Sequence, residues 1–265
     1  MRMIFLFRAR TIRFVRRKGK WTQRIAVLQF VILKRLVVKM SVAEAVVLGS
    51  RSPQRRELLA SIVGTDGLQI MPPLSSAEAD FYDVDDDAGF EHRLLQIVRE
   101  KYHDVSRQVL TSRKFSDAGM PPAPFIVVAD TVVIAKDDAQ RKRVLGQPEP
   151  AKWQAEVRHW MRHWLAGRTH EVWTGVNVAK GNDVREFIVK SCVTFCDVSD
   201  ALIEWYLSTN ESVGKAGGYA IQANAAAFVS QFTGSLTNII GLPLLEVIDA
   251  MQALGWQLPV HETKA

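Results

Sequence analysis

The chain has 265 residues, with 34 Lys and Arg against 28 Asp and Glu, 48% hydrophobic and 9% aromatic residues, and two cysteines. This composition excludes a disordered or fibrous protein; the length suits a core-forming α/β chain, which often runs to roughly 200 to 250 residues as one unit, or two lobes sharing a cleft. Two cysteines exclude a disulfide scaffold and point to a reducing compartment, and no apolar run reaches the roughly 18 residues of a membrane span.

A net charge of +6 and a basic pI suggest a nucleic-acid binder until the charges are located. Residues 1–40 hold twelve Lys and Arg and no acid, which leaves 22 basic against 28 acidic side chains for residues 41–265, a net charge of −6. The chain therefore reads as a basic extension, 1–40, and an acidic body, 41–265. An Arg-rich, acid-free, amphipathic leader suits a transit peptide, which would make the protein mitochondrial. It also suits a membrane-surface or nucleic-acid arm, or a segment upstream of the folded domain with Met40 as the natural start.

In chain order, AVVLG at 45–49 reads as a short buried strand, SRSPQRR as a loop and ELLASIVG as a helix. LQIMPP reads as a second strand stopped by prolines, and FEHRLLQIVREKYHDV as a helix. The acid run Asp83, Asp85, Asp86 and Asp87 reads as a solvated insertion, and 111–124 as an exposed connection. Phe125–Ala135, FIVVADTVVIA, is a buried strand interrupted at its middle. A helix carrying Trp153, Trp160 and Trp164 follows, then a strand pair turning at GND, a helix over 199–208, a strand in AAAFVSQF and a last helix from Pro243.

Asp130 is the most informative residue. A carboxylate inside an apolar strand costs several kcal/mol, in order of magnitude, unless it is paired, hydrogen-bonded or on a metal. A cation or a hydrated Mg2+ facing a cleft would compensate it, as would a strand-end position capping the next turn. Ser50-Arg51-Ser52-Pro53-Gln54-Arg55-Arg56 has the parts of an anion site, namely a loop leaving a strand, an N-cap hydroxyl, Pro at N1 and arginines in the first turn. A capped surface helix with solvated arginines has the same pattern. Lys215-Ala216-Gly217-Gly218-Tyr219 and the 234–241 stretch let backbone approach a ligand, or simply turn. His159 and His163 have metal-pair spacing on what looks like an amphipathic surface helix, and Cys192 and Cys196, of one strand parity, read as core thiols.

Taken together, LGSRSPQRRELL, VADTVVI, AGRTHEVWTGV, KAGGYAIQ and GSLTNIIGLPL, in this order over residues 45–250, resemble the Maf family of nucleoside triphosphate pyrophosphatases. The resemblance implies an α/β fold, a mixed twisted sheet with flanking helices in two lobes around a deep cleft, similar to inosine triphosphatase. It implies hydrolysis of a nucleoside triphosphate to the monophosphate and pyrophosphate, a divalent cation (Mg2+ or Mn2+) as cofactor, a homodimer in the cytoplasm, and neither nucleic acid nor membrane as partner.

Carried over by position, Asp130, Lys101 and Arg55 are the catalytic candidates, and Asp130 with Glu78 (or Asp80) would hold the metal. Ser50, Ser52, Arg56, Thr131, Lys215, Gly217 and Gln222 are the substrate-binding candidates, Thr131 and Gln222 facing the base. These last two resemble the branch acting on dTTP and UTP. Gln54, Gln147 and Gly214 stand where the family carries an arginine, a lysine and an aspartate, a loss of two cations that weakens triphosphate binding unless Arg56 or another cation compensates. With those groups missing, a catalytically weak nucleotide-binding regulator of cell division is the competing function.

Overall fold

The computed structural model describes residues 44–75, 80–112 and 123–258. The basic extension, Glu78 and most of the 111–124 connection lie outside the described residues.

Seven strands form one mixed sheet: β1 (Val46–Leu48), β2 (Leu68–Ile70), β3 (Phe125–Lys136), β4 (Lys142–Leu145), β5 (Thr169–Lys180), β6 (Asp183–Phe195) and β7 (Val229–Thr233). The order is β2-β1-β3-β5-β6-β7, with β1 parallel to β2 and β3, and the remaining pairs antiparallel. β4 also pairs with β3, antiparallel. The β5–β6 hairpin closes with Lys180 opposite Asp183 around Gly181 and Asn182, the turn expected from GND.

One irregularity in this sheet prepares the site. β5 runs beside β3 from Phe125 to Ile134, so β1 and β4 must share the other edge of β3. β1 covers Phe125–Val127 and β4 covers Val133–Lys136. Between Val127 and Val133 that edge has no strand partner among the described residues.

Alternation along β3 sends its apolar side chains into four cores, two on each face. The odd residues Val127 and Ala129 pack with helix α1 (Pro53–Val63) and helix α6 (Leu244–Ala253). Val133 and Ala135 pack with α3 (Trp153–Trp160), its π-helical extension Met161–Leu165, and α4 (Asp200–Ser208). On the opposite face, Ile126 and Val128 meet Val105 and Val109 of α2 (Asp87–Thr111), while Val132 and Ile134 meet its Phe90 and Leu94. Asp130 and Thr131 fall on the seam between the cores of their respective faces.

Several expectations are refined or corrected. Asp83, Asp85, Asp86 and Asp87 are exposed, and three of them also have partners: Asp86 caps α2 through Gly89 N–H at 2.7 Å, Asp83 pairs with Arg93 and Asp87 with Lys142. The AAAFVSQF strand begins only at Val229, after a 3-10 turn over Asn224–Phe228. Cys196 is exposed and Cys192 half-buried. They share a parity, but on β6 the buried face belongs to Ser191, Val193 and Phe195.

Gly217 is buried with φ of 68°, and its N–H bonds to the Gly146 carbonyl at 3.0 Å, tying the Gly-rich segment to the end of β4. A Cβ there would lie 2.7 Å from Val133 Cγ2. Gly217→Ala is therefore expected to lower folding stability by about 1 to 3 kcal/mol through backbone strain and overpacking. Urea unfolding measures this, and an unchanged midpoint would contradict the packing described.

Candidate active site

The loop after β1 leads straight into α1. Ser52 caps the helix, its Oγ accepting the Arg55 N–H at 3.3 Å, and Pro53 occupies the first turn, where its missing N–H costs nothing. Ser50 Oγ accepts the Ser52 N–H at 3.1 Å, which curls the loop around its own hydroxyls. No acid lies in the first turn of α1, so its positive end is left for an anion from outside.

Arg55 reaches back across this loop. Its Nε donates to the Gly241 carbonyl at 2.8 Å, Nη2 to Thr131 Oγ1 at 2.9 Å and Nη1 to Ser50 Oγ at 3.4 Å. Gly241, with φ of 127°, follows the short helix α5 (Leu236–Ile240) and presents that carbonyl. The guanidinium is thus fixed by main chain and hydroxyls rather than by a long flexible reach.

On the other face of the sheet, Lys101 Nζ lies 2.5 Å from Asp130 Oδ1. Both side chains are mostly buried, with 15% and 13% exposure. This is the compensating cation that the Asp130 pattern requires. Asp130 and Thr131 are consecutive and point to opposite faces, yet both line one cavity of about 420 Å3. They can do so because the cavity opens at the unpartnered edge of β3, where neither face is closed off by a neighbouring strand.

The remaining wall comes from the 214–222 segment and Gln147. Lys215 lines the cavity, its Nζ donating to the Glu211 carbonyl at 2.5 Å. Tyr219 lines it too, with its hydroxyl 2.8 Å from His170 Nε2. Burial pushes the Tyr219 phenol above its usual range and pulls the His170 imidazole down to about 3. His170 is therefore a neutral ring holding a neutral phenol.

The cavity gathers Asp130, Lys101, Arg55, Ser50, Ser52, Thr131, Lys215 and Gln222 from the expected set. Arg56 is exposed and does not line it, because it sits one residue round the helix from Arg55; it is not placed to offset the missing cations. Gly217 lies behind the wall, against Val133. Asp80 is exposed and away from the cavity, its main-chain carbonyl taken by Arg93. His159 and His163 are exposed neighbours with ring centroids 4.7 Å apart, on the helix packed against α4.

The 234–241 stretch does bring backbone to the cavity at Gly241, though no side-chain pattern signals that its carbonyl holds Arg55, and Thr174 was not foreseen. The latter could have been found by the reasoning that found Asp130, since it is a polar residue in the apolar run VWTGV.

Among the described residues, Asp130 is the one carboxylate lining the cavity, and no three His, Cys, Asp or Glu side chains gather as a ligand group. The Asp130 carboxylate beside an anion pocket suits a hard cation that keeps waters and binds substrate phosphates.

The family model for Maf-like proteins matches residues 45–254, the span that contains every cavity residue named above. The chain belongs to the Maf family. Curated Maf relatives include the dTTP/UTP pyrophosphatases of Granulibacter bethesdensis, 38% identical over 80% of this chain and 93% of the relative, and Myxococcus xanthus, 35% identical over 80% and 94%. That of Cereibacter sphaeroides is 36% identical over 83% and 98%.

The neutral His170 predicts a pH dependence for this Maf domain. Its folded value of about 3 lies below the ordinary imidazole range near 6.5, so its contribution is complete above about pH 6.5 and is lost as pH falls toward 3. His170→Gln is expected to make the acid-side decline in stability shallower than in wild type. Urea titrations between pH 7 and pH 4 read the difference, and parallel curves would remove His170 as its source.

Proposed function

We propose that the protein hydrolyses nucleoside triphosphates to the monophosphate and pyrophosphate, with dTTP and UTP as preferred substrates, clearing unwanted or modified nucleotides. The observation that carries this reading is the convergence of the Asp130–Lys101 pair and the Ser50–Arg55 turn on one cavity. The matched relatives named dTTP/UTP pyrophosphatase, similar along nearly their whole length, support it.

The chemistry asked of such a site is alignment of a water, neutralisation of charge on the phosphate oxygens and stabilisation of the departing pyrophosphate. Asp130 orients the water and takes its proton as the water oxygen bonds to the α-phosphorus and the bond to the bridging oxygen breaks. Lys101 holds the carboxylate in place. Arg55 and Lys215 carry positive charge to the phosphate chain, with the Ser50 and Ser52 hydroxyls and the N–H groups at the start of α1 gripping its oxygens. Gln222, which lines the cavity, is the group assigned to the base edge on this reading. Asp130 and Glu78 would hold a Mg2+ or Mn2+ ion, which when bound would add charge neutralisation at the phosphates. The reading includes a cytoplasmic homodimer, as the family resemblance implies.

Gln54 and Gln147 both line the cavity as neutral amides, and the Ser52 hydroxyl donates to Gln54 Oε1 at 3.0 Å. The site keeps Arg51, Arg55, Lys101 and Lys215 as its cations, and these favour the enzyme over an inactive binding protein.

Asp130→Asn is expected to lower kcat by at least about a hundredfold while nucleotide binding persists, the lower bound for losing a general base. Pyrophosphate release from dTTP and UTP measures it, and undiminished turnover would refute the role. Chelation is expected to abolish release and added Mn2+ or Mg2+ to restore it, in the same assay; full activity in excess chelator would exclude the metal.

A further inference from the structure

We infer that Thr174 is a positioning residue for Arg55, acting through Thr131; the inference rests on the reading above, in which Arg55 is a phosphate-binding cation. Thr174 is fully buried in the middle of β5 and stands directly opposite Thr131 in register. The two hydroxyls are 2.9 Å apart. Thr131 Oγ1 accepts the Arg55 Nη2–H at 2.9 Å, and Thr174 Oγ1 donates to the Asn238 carbonyl at 3.2 Å.

Each threonine hydroxyl has one proton and two lone pairs, so one of the two donates to the other and the acceptors at the two ends decide which. The acceptors at the two ends are the Asn238 carbonyl, 3.2 Å from Thr174, and the Gly241 carbonyl, 3.4 Å from Thr131. The shorter contact takes the Thr174 proton. Thr131 then gives its proton to Thr174, and a lone pair is left to accept the Arg55 Nη2–H. The chain runs one way, Arg55 to Thr131 to Thr174 to Asn238, so each bond polarises the next. It is anchored at its far end, because Asn238 is itself fully buried and its Nδ2 donates to the Val172 carbonyl and to Ser191 Oγ, each at 3.0 Å.

The consequence for the site is specific. Arg55 is held at Nε by the Gly241 carbonyl and at Nη2 by Thr131, two points that set the plane of the guanidinium. A valine would fill the space of Thr174, but Thr131 would lose its proton acceptor and turn toward Gly241, releasing one of those points. On this reading the Thr131 hydroxyl serves Arg55, and it replaces the expectation that Thr131 reads a base edge.

The test is a double-mutant cycle. Thr174→Val and Thr174→Ser are made in wild type and in Arg55→Lys, with kcat/KM for pyrophosphate release from dTTP and Kd for a nonhydrolysable α,β-methylene dTTP as readouts. Thr174→Val is expected to reduce kcat/KM by about tenfold in wild type, the upper end for one neutral hydrogen bond, and by less than about twofold in Arg55→Lys. Thr174→Ser, which keeps the hydroxyl, is expected to stay within about twofold of wild type. A merely structural role predicts the same factor in both backgrounds, and that result, or equal impairment by serine and valine, overturns the inference. If Thr174→Val does not accumulate as folded protein, Thr131→Val cuts the same chain one bond nearer Arg55 and carries the same expectations. A wild-type protein that binds the analogue but releases no pyrophosphate sinks the proposed activity and leaves the cycle to be decided on Kd. One that does neither overturns both.

Discussion

The site depends on the contact between Asp130 and Lys101, two charges embedded in elements that are otherwise apolar. The buried stripe of α2 runs Phe90, Leu94, Ile97, Val98, Val105 and Val109, and Lys101 falls on that stripe where an apolar side chain would be expected. Asp130 likewise interrupts the buried run of β3. Either charge alone would leave an uncompensated ion at a cost of roughly 3 to 5 kcal/mol if fully buried, somewhat less with the cavity's access to water. Together they select one placement of α2 along the sheet, the one in which the two interruptions meet.

That placement has chemical value only because of the open edge of β3. Along a covered strand, consecutive residues serve opposite faces and cannot act on one ligand. Here β1 ends beside Val127 and β4, running the other way, ends beside Val133, and the space between them joins the two faces. The carboxylate and lysine come from one side, and Arg55 with its hydroxyl supports from the other. Gly241 and the start of α1 meet there because the chain returns through α5 to the same gap. The sheet supplies position, and its interruption supplies access.

Features that violated a local pattern were legible in advance. A carboxylate in FIVVADTVVIA, a serine and a proline before a helix, and glycines beside a lysine each break a rule that holds for their neighbours, and each marks a wall of the cavity. The strand–loop–helix start and the β5–β6 hairpin were legible too, because their periodicity and turn chemistry agree. What could not be read was set by tertiary contact. β4 is four residues, KRVL, without alternation, and exists by pairing with β3. Which parity of β6 faces inward, and hence where Cys192 and Cys196 point, depends on the layers packed against it. The Gly241 carbonyl belongs to no side-chain pattern at all. Thr174 was readable in principle and hidden by its resemblance to an ordinary β-branched strand residue.

The alternation of β3 also carries a constraint on how this chain can vary in length. Asp130 and Thr131 differ by one position and serve opposite sides of the same strand, each matched to its own partner. Insertion of a single residue upstream in β3 would slide Asp130 against the buried hydroxyl of Thr174 and set Ala129 against Lys101, and deletion of one would set Thr131 against Lys101 and Val132 against Thr174. Substitutions in β3 are graded in their effect, whereas a change of one in its length between Phe125 and Ala129 takes both side chains off their partners at once.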